Sequence, residues 1–118
     1  MAFRILLVDD DPDVLDVLEQ ILEFAGYLVT TADSVAGALA LLTSPAYDLV
    51  LTDLRLGDGL GTIIAEKAAA TGAKPLIITG YAYDLAEDER IRYDYLQKPV
   101  FGRELIDAVE RALDLRPG

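Results

Sequence analysis

Ile5-Leu6-Leu7-Val8-Asp9-Asp10-Asp11-Pro12 is the stretch that decides how this chain is read. Four apolar residues in a row, without alternation, suit a strand buried on both faces. Three aspartates end it at once. Asp11 followed by Pro12 has the form of a helix N-cap and a first helical residue. In the pattern that follows, Leu15, Leu18, Leu22 and Ala25 recur at helical intervals, and Gly26 is a natural stop. A buried strand, an acidic turn and an amphipathic helix open an α/β unit.

Outward from there, Leu49 to Thr52 and Leu76 to Thr79 are further compact apolar runs. Tyr27 to Thr31 is more mixed, as an edge strand is, and Tyr93 to Gln97 makes a weaker fifth. Helical patterns lie between them. Ser34 caps a second helix to about Thr43, and a third runs from Thr62 to Thr71 before Gly72. A short fourth is expected near Asp84 to Arg90. The fifth spans Arg103 to Leu115, with Leu105, Ile106, Val109, Ala112 and Leu113 facing the core. This alternation predicts a doubly wound, five-stranded parallel sheet of flavodoxin-like order 2-1-3-4-5 with helices on both faces. Such sheets bind ligands beyond the carboxyl ends of their strands, at the switch in strand order.

The composition narrows the chemistry. The 118 residues suit one domain, expected over 1–118 with a core of about 3–115. Histidine, cysteine and tryptophan are absent, which excludes a Ser-His-Asp triad, thiolate or imidazole zinc sites, and disulfides. The net charge of −11 disfavours direct nucleic-acid binding and an anionic membrane surface. The first apolar run is too short for a signal peptide or a membrane span, so a cytoplasmic location is expected. No linker or repeat is visible, and a single domain without an attached output module is the expectation.

The predicted strand ends gather the reactive groups. Asp9, Asp10 and Asp11 follow the first strand, and Asp53 follows the third. Thr79-Gly80 ends the fourth and Lys98-Pro99 follows the fifth. Two carboxylates about 5 Å apart repel by roughly 3 kcal/mol at an effective dielectric of 20. A cluster of them calls for a cation, a proton or water. With only oxygen ligands, the cation is hard: Mg²⁺ first, then Mn²⁺ or Ca²⁺. A carboxylate nucleophile, a hard metal, a lysine and a hydroxyl are the parts for handling a phosphoryl group.

Four strings then carry a resemblance: Ile5 to Pro12, Asp48-Leu49-Val50-Leu51-Thr52-Asp53-Leu54, Ile77-Ile78-Thr79-Gly80-Tyr81 and Tyr95-Leu96-Gln97-Lys98-Pro99. In order and spacing they resemble the receiver domain of two-component response regulators over nearly the whole chain. The resemblance implies that Asp53 accepts a phosphoryl group. It implies that Asp10, Asp53 and the Arg55 backbone carbonyl ligate Mg²⁺, for which Mn²⁺ substitutes, while Asp9 acts through water. By the same resemblance, Lys98, Thr79 and the Gly80 backbone are expected to contact the phosphoryl group, with Thr79 and Tyr95 as the switch. The expected donor is a phosphohistidine on a sensor histidine kinase or a histidine phosphotransfer protein. Phosphorylation is expected to change the face of helix 4, strand 5 and helix 5 toward a downstream protein target, and a homodimer is left open. The domain is expected to promote its own phosphorylation and dephosphorylation only, rather than to be a turnover enzyme.

Two departures stand out. Gly57 occupies a position where the family usually has proline, and with Gly59 and Gly61 it predicts a more mobile loop. The stretch from Thr79 to Lys98 is short by about one helical turn. Asp9, Asp11 and Asp13 have the opening spacing of an EF-hand, but Val14 and Gln20 fill its glycine and closing glutamate positions. The glycines lack dinucleotide spacing, and Asp58 would repel phosphate. An FMN site would want a hydroxyl- and glycine-rich loop after the first strand. A Mg²⁺-dependent phosphatase would want a second aspartate where Arg55 stands. A receiver-like interaction module that works without phosphorylation is the alternative function. Tyr81, Tyr83 and Tyr93 read as surface or packing residues.

Overall fold

The computed structural model describes residues 2–44, 46–80 and 86–115, apart from the side chains of 87, 89 and 91. The strands and helices run in the order β1 (Arg4–Val8), α1 (Pro12–Phe24), β2 (Leu28–Ala32), α2 (Val35–Leu41) and β3 (Leu49–Asp53). A short ribbon, β4 (Arg55–Leu56) and β5 (Gly59–Leu60), leads into α3 (Gly61–Ala70). Then come β6 (Lys74–Thr79), α4 (Glu87–Arg92), β7 (Asp94–Gln97) and α5 (Gly102–Ala112). The main sheet is parallel, with order β2-β1-β3-β6-β7. Counted among its own strands, that is the predicted 2-1-3-4-5.

The uninterrupted apolar runs are explained by the two layers of helices. Ile5 and Leu7 of β1 pack with Leu49, Leu51, Leu18, Leu22, Leu105 and Val109 on the face of α1 and α5. Leu6 and Val8 point the other way, into a cluster with Val50, Val35, Ala38 and Ile64. Successive strand residues face opposite sides, so a central strand needs apolar side chains at every position. Each fully buried leucine contributes about 1.5–3 kcal/mol by leaving water. The helix starts follow the sequence too. Asp11 accepts from the amides of Asp13 at 3.0 Å and Val14 at 3.4 Å, and Ser34 Oγ accepts from Gly37 N–H at 3.0 Å. Gly26, at φ +99°, makes the left-handed turn out of α1.

Two details differ from the sequence reading. β6 begins at Lys74, before Pro75. Lys74 N–H donates to Asp48 O on the β3 side, so position 75 faces the other neighbour. Pairing with β7 begins only at Leu76, and the missing proline N–H therefore leaves no gap in the ladder. The glycine loop forms the antiparallel β4–β5 ribbon, an element absent from the predicted order. Tyr93 is buried against Leu54, Ala65 and Ile77, with the Arg92 guanidinium 5.1 Å from its ring centre. Tyr81, Tyr83 and the predicted helix start at Asp84 lie outside the described residues. Among the described residues, no helix is long and apolar enough to cross a membrane.

Candidate functional site

Parallel strands deliver their carboxyl ends to one edge, and β1 and β3 are direct neighbours there. Asp9 immediately follows β1 and Asp53 is the last residue of β3. One carboxylate oxygen from each of Asp9, Asp10 and Asp53 lies within 4.8 Å of the others. Asp9 is 1% exposed and Asp53 9%, while Asp10 faces solvent. Lys98 Nζ donates to Asp53 Oδ2 at 3.1 Å and lies 3.5 Å from Asp9 Oδ2. Asp9 Oδ1 accepts from Asp11 N–H at 2.9 Å, but its buried Oδ2 has no hydrogen-bond donor among the described residues.

The electrostatics are unbalanced in one direction. Burial pushes the Asp9 carboxyl up from the ordinary range. The Asp11 amide and Lys98 pull it back, while Asp53 and Asp10 push it further up. Burial works against the Lys98 ammonium, yet Asp53 and then Asp9 hold its pKa above the usual lysine value. Three carboxylates thus face one ammonium, and the buried Asp9 Oδ2 has the Lys98 ion pair at 3.5 Å but no hydrogen-bond donor among the described residues. A buried carboxylate oxygen so poorly compensated is costly. This all-oxygen set fits a divalent hard cation of the Mg²⁺ type, and Asp9, Asp10 and Asp53 are the side chains that would surround it.

The other predicted residues fall around this centre to different degrees. Thr79 ends β6 and is 2% exposed; its carbonyl accepts from Lys98 N–H at 2.8 Å, tying β6 to the lysine. Gly80 follows at the exposed end of that strand. Arg55 sits in β4, its backbone paired in register with Leu60. Tyr95 lies in β7 opposite Ile77 and is 39% exposed, on the sheet edge rather than among the carboxylates.

Two contributors were not legible in the sequence. A Cβ at Gly61 would overlap the Asp53 carbonyl oxygen, and Gly61 N–H donates to Leu54 O at 2.7 Å. Helix α3 therefore starts flush against the end of β3, and only glycine fits there. Asp58, read from the sequence only as a poor neighbour for phosphate, accepts from the amides of Val35 at 2.7 Å and Ala36 at 3.0 Å. Beside Lys98, an apolar cleft of about 580 Å³ is lined by Val14, Val17, Leu18, Pro99 and Val100.

The family model of the response regulator receiver domain matches residues 5–110. The chain belongs to that family. The receiver domain is 38% identical to the alginate biosynthesis transcriptional regulatory protein AlgB of Pseudomonas aeruginosa, over 96% of this chain and 26% of that protein. It is 33% identical to the nitrogen assimilation regulatory protein NtrX of Azorhizobium caulinodans, over 97% of this chain and 27% of that one. The chain thus spans about a quarter of the length of these relatives. Among solved structures, a CheY-like receiver domain from Methanospirillum hungatei shares 37% identity at a TM-score of 0.85, covering 97% of this chain and 95% of its own. TrrA from Thermotoga maritima, solved in complex with Mg²⁺ and BeF, shares 29% at 0.85, covering 96% of this chain and all of its own. The doubly wound fold and the acidic cluster at its switch point are those of a two-component receiver.

Proposed function

We propose that the receiver domain accepts a phosphoryl group on Asp53 from a phosphohistidine. The donor would be a sensor histidine kinase or a histidine phosphotransfer protein in the cytoplasm. The observation that carries this reading is the Asp53 carboxylate at the end of β3, held by Lys98 at 3.1 Å beside Asp9 and Asp10. An Asp53 oxygen attacks phosphorus in line; the P–O bond forms as the P–N bond breaks, and the imidazole leaves with the electron pair. Asp10, Asp53 and the Arg55 carbonyl would hold Mg²⁺, or Mn²⁺ in its place, with Asp9 acting through water, and the ion would supply positive charge to the phosphoryl oxygens. Lys98 leaves its bond to Asp53 to meet a phosphoryl oxygen, and the Thr79 hydroxyl and Gly80 backbone contact the others. Thr79 and Tyr95 then switch together and change the face of α4, β7 and α5 toward a downstream protein or a second copy. The domain promotes only its own phosphorylation and dephosphorylation, and residues 1–118 act as one unit. It contacts neither nucleic acid nor membrane directly. The cleft beside Lys98 supplies apolar surface for a protein donor, with Val17 55% exposed at its rim.

The test is intact mass after incubation with acetyl phosphate and Mg²⁺. One added phosphoryl group is expected, absent in Asp53→Asn and with chelator. A folded, Mg²⁺-binding protein that takes up no adduct and fails to bind beryllofluoride would overturn the reading in favour of a phosphorylation-independent module.

A further inference from the structure

The β4–β5 ribbon leaves Asp53 and carries Arg55, the residue whose carbonyl is assigned to the metal above. It is fastened to the first turn of α2. The Asp58 carboxylate takes the Val35 amide through Oδ1 at 2.7 Å and the Ala36 amide through Oδ2 at 3.0 Å. Leu56 is buried in the same cluster as Val35 and Ala38. Gly59, at φ +155°, lies so close that a Cβ there would stand 3.3 Å from Val35 Cγ2. One residue before Asp58, the ribbon passes the acidic site: a Cβ on Gly57 would have Asp10 Oδ2 as its near neighbour, at 3.9 Å. The same turn therefore touches α2 on one side and looks onto a candidate metal ligand on the other.

Helix capping alone does not account for this contact. Ser34 already caps α2 locally, through Gly37 N–H at 3.0 Å. The Ser34 bond spans three residues of chain, whereas the Asp58 bonds span 23 and 22. A local cap stabilises the helix and nothing else; a long-range one also fixes the loop that supplies it. Gly57 and Gly59 leave the backbone of this turn free to choose other conformations unless something outside it selects one.

We infer that Asp58 is a positioning residue of the phosphorylation site. By bridging the ribbon to the first two amides of α2, it holds the Arg55 backbone in place and so sets the affinity for Mg²⁺ and the lifetime of the acyl phosphate. The inference rests on the proposed phosphoacceptor and metal assignment. It acts through the first ligand shell, as second-layer hydrogen bonds do at metal sites.

The test compares the full chain with Asp58→Ala, Asp58→Asn, Ser34→Ala and Asp10→Asn by Mg²⁺ titration calorimetry. About 0.5 M KCl shortens the Debye length to about 4 Å and suppresses the plain effect of removing a charge. Asp58→Ala is expected to weaken Mg²⁺ about 10-fold, and Asp58→Asn, which keeps one acceptor oxygen, about 3-fold. Ser34→Ala, which uncaps the same helix, leaves the affinity unchanged. Amide exchange at Gly57 and Gly59 quickens in Asp58→Ala and not in Ser34→Ala. Equal affinity in the wild type and Asp58→Ala, or an equal loss in Ser34→Ala, overturns the positioning role while the site reading stands. If Asp58→Ala does not fold, Asp58→Asn decides by the same criteria. Absence of Mg²⁺ binding in the wild type, or binding undiminished in Asp10→Asn, defeats the site assignment and this inference with it.

Discussion

β1 and β3 at the middle of the sheet and β7 at its edge both deliver residues to the site, but they are built differently. Ile5 to Val8 are at most 1% exposed, and every residue of β3 is buried. In β7 only Leu96 is even half-buried, and Tyr95 is 39% exposed. The carboxylates sit on the first pair; Lys98 and Tyr95, the proposed switch tyrosine, belong to the second. Groups that repel one another need a frame that does not yield, and the two-sided packing of β1 and β3 supplies it. The groups proposed to change partners on phosphorylation sit on a thinly buried edge strand, an element that moves at lower cost.

The largest effect expected from this contrast lies in the core. Leu51→Ala should cost about 3–4 kcal/mol in urea unfolding, because its fully buried side chain leaves a cavity between two helical layers. Leu96→Ala in β7 should cost only about 1 kcal/mol. Equal losses would erase the contrast. Next comes the cation. Mg²⁺ at 100 times its dissociation constant should stabilise the protein by about 2.7 kcal/mol relative to chelator at matched ionic strength. Asp10→Asn should remove that gain. The relief of repulsion should appear as slower amide exchange in β1 and β3, and an unchanged melting temperature would count against an occupied site.

A smaller effect is pH-dependent. The amides of Val35 and Ala36 hold the Asp58 carboxyl below the ordinary carboxylate range. A group lowered on folding contributes fully above its unfolded pKa and loses that contribution as pH falls through the lowered value. The stability difference between the wild type and Asp58→Asn should therefore be largest near neutral pH and shrink in acid. A difference that grew in acid would mean that Asp58 does not bond α2 as a carboxylate. The smallest effect is at the edge. Tyr95→Ala should change stability by less than about 0.5 kcal/mol, as exposed substitutions usually do, while weakening recognition of the phosphorylated face by a partner.

How much was legible depended on the range of the interaction. The caps of α1 and α2 lie within three residues of the amides they serve, so Asp11 and Ser34 could be found by inspection. The grouping of Asp9, Asp10, Asp53 and Lys98 spans most of the chain, yet it was readable because parallel strands with helical crossovers allow only one edge for them all. Asp58 could not be found that way. Its partners are more than twenty residues back, and an Asp-Gly pair in a loop reads first as a turn. For Tyr93 the sequence left surface and packing roles open, and the structure settles it as packing against Leu54, Ala65 and Ile77.

The sequence by itself determined the element order, the strand order and the convergence of the carboxylates with the lysine. Those follow from periodicity, caps and the handedness of crossovers, which are local or topological rules. Only the tertiary structure decided that the glycine loop is a ribbon seated on α2. It alone decided that Gly61 must lack a side chain against the Asp53 carbonyl, and that Asp9 keeps a buried oxygen without a hydrogen-bond donor among the described residues. Those facts depend on separations of a few ångströms between segments distant along the chain, and such distances are fixed only when the packed layers close around them.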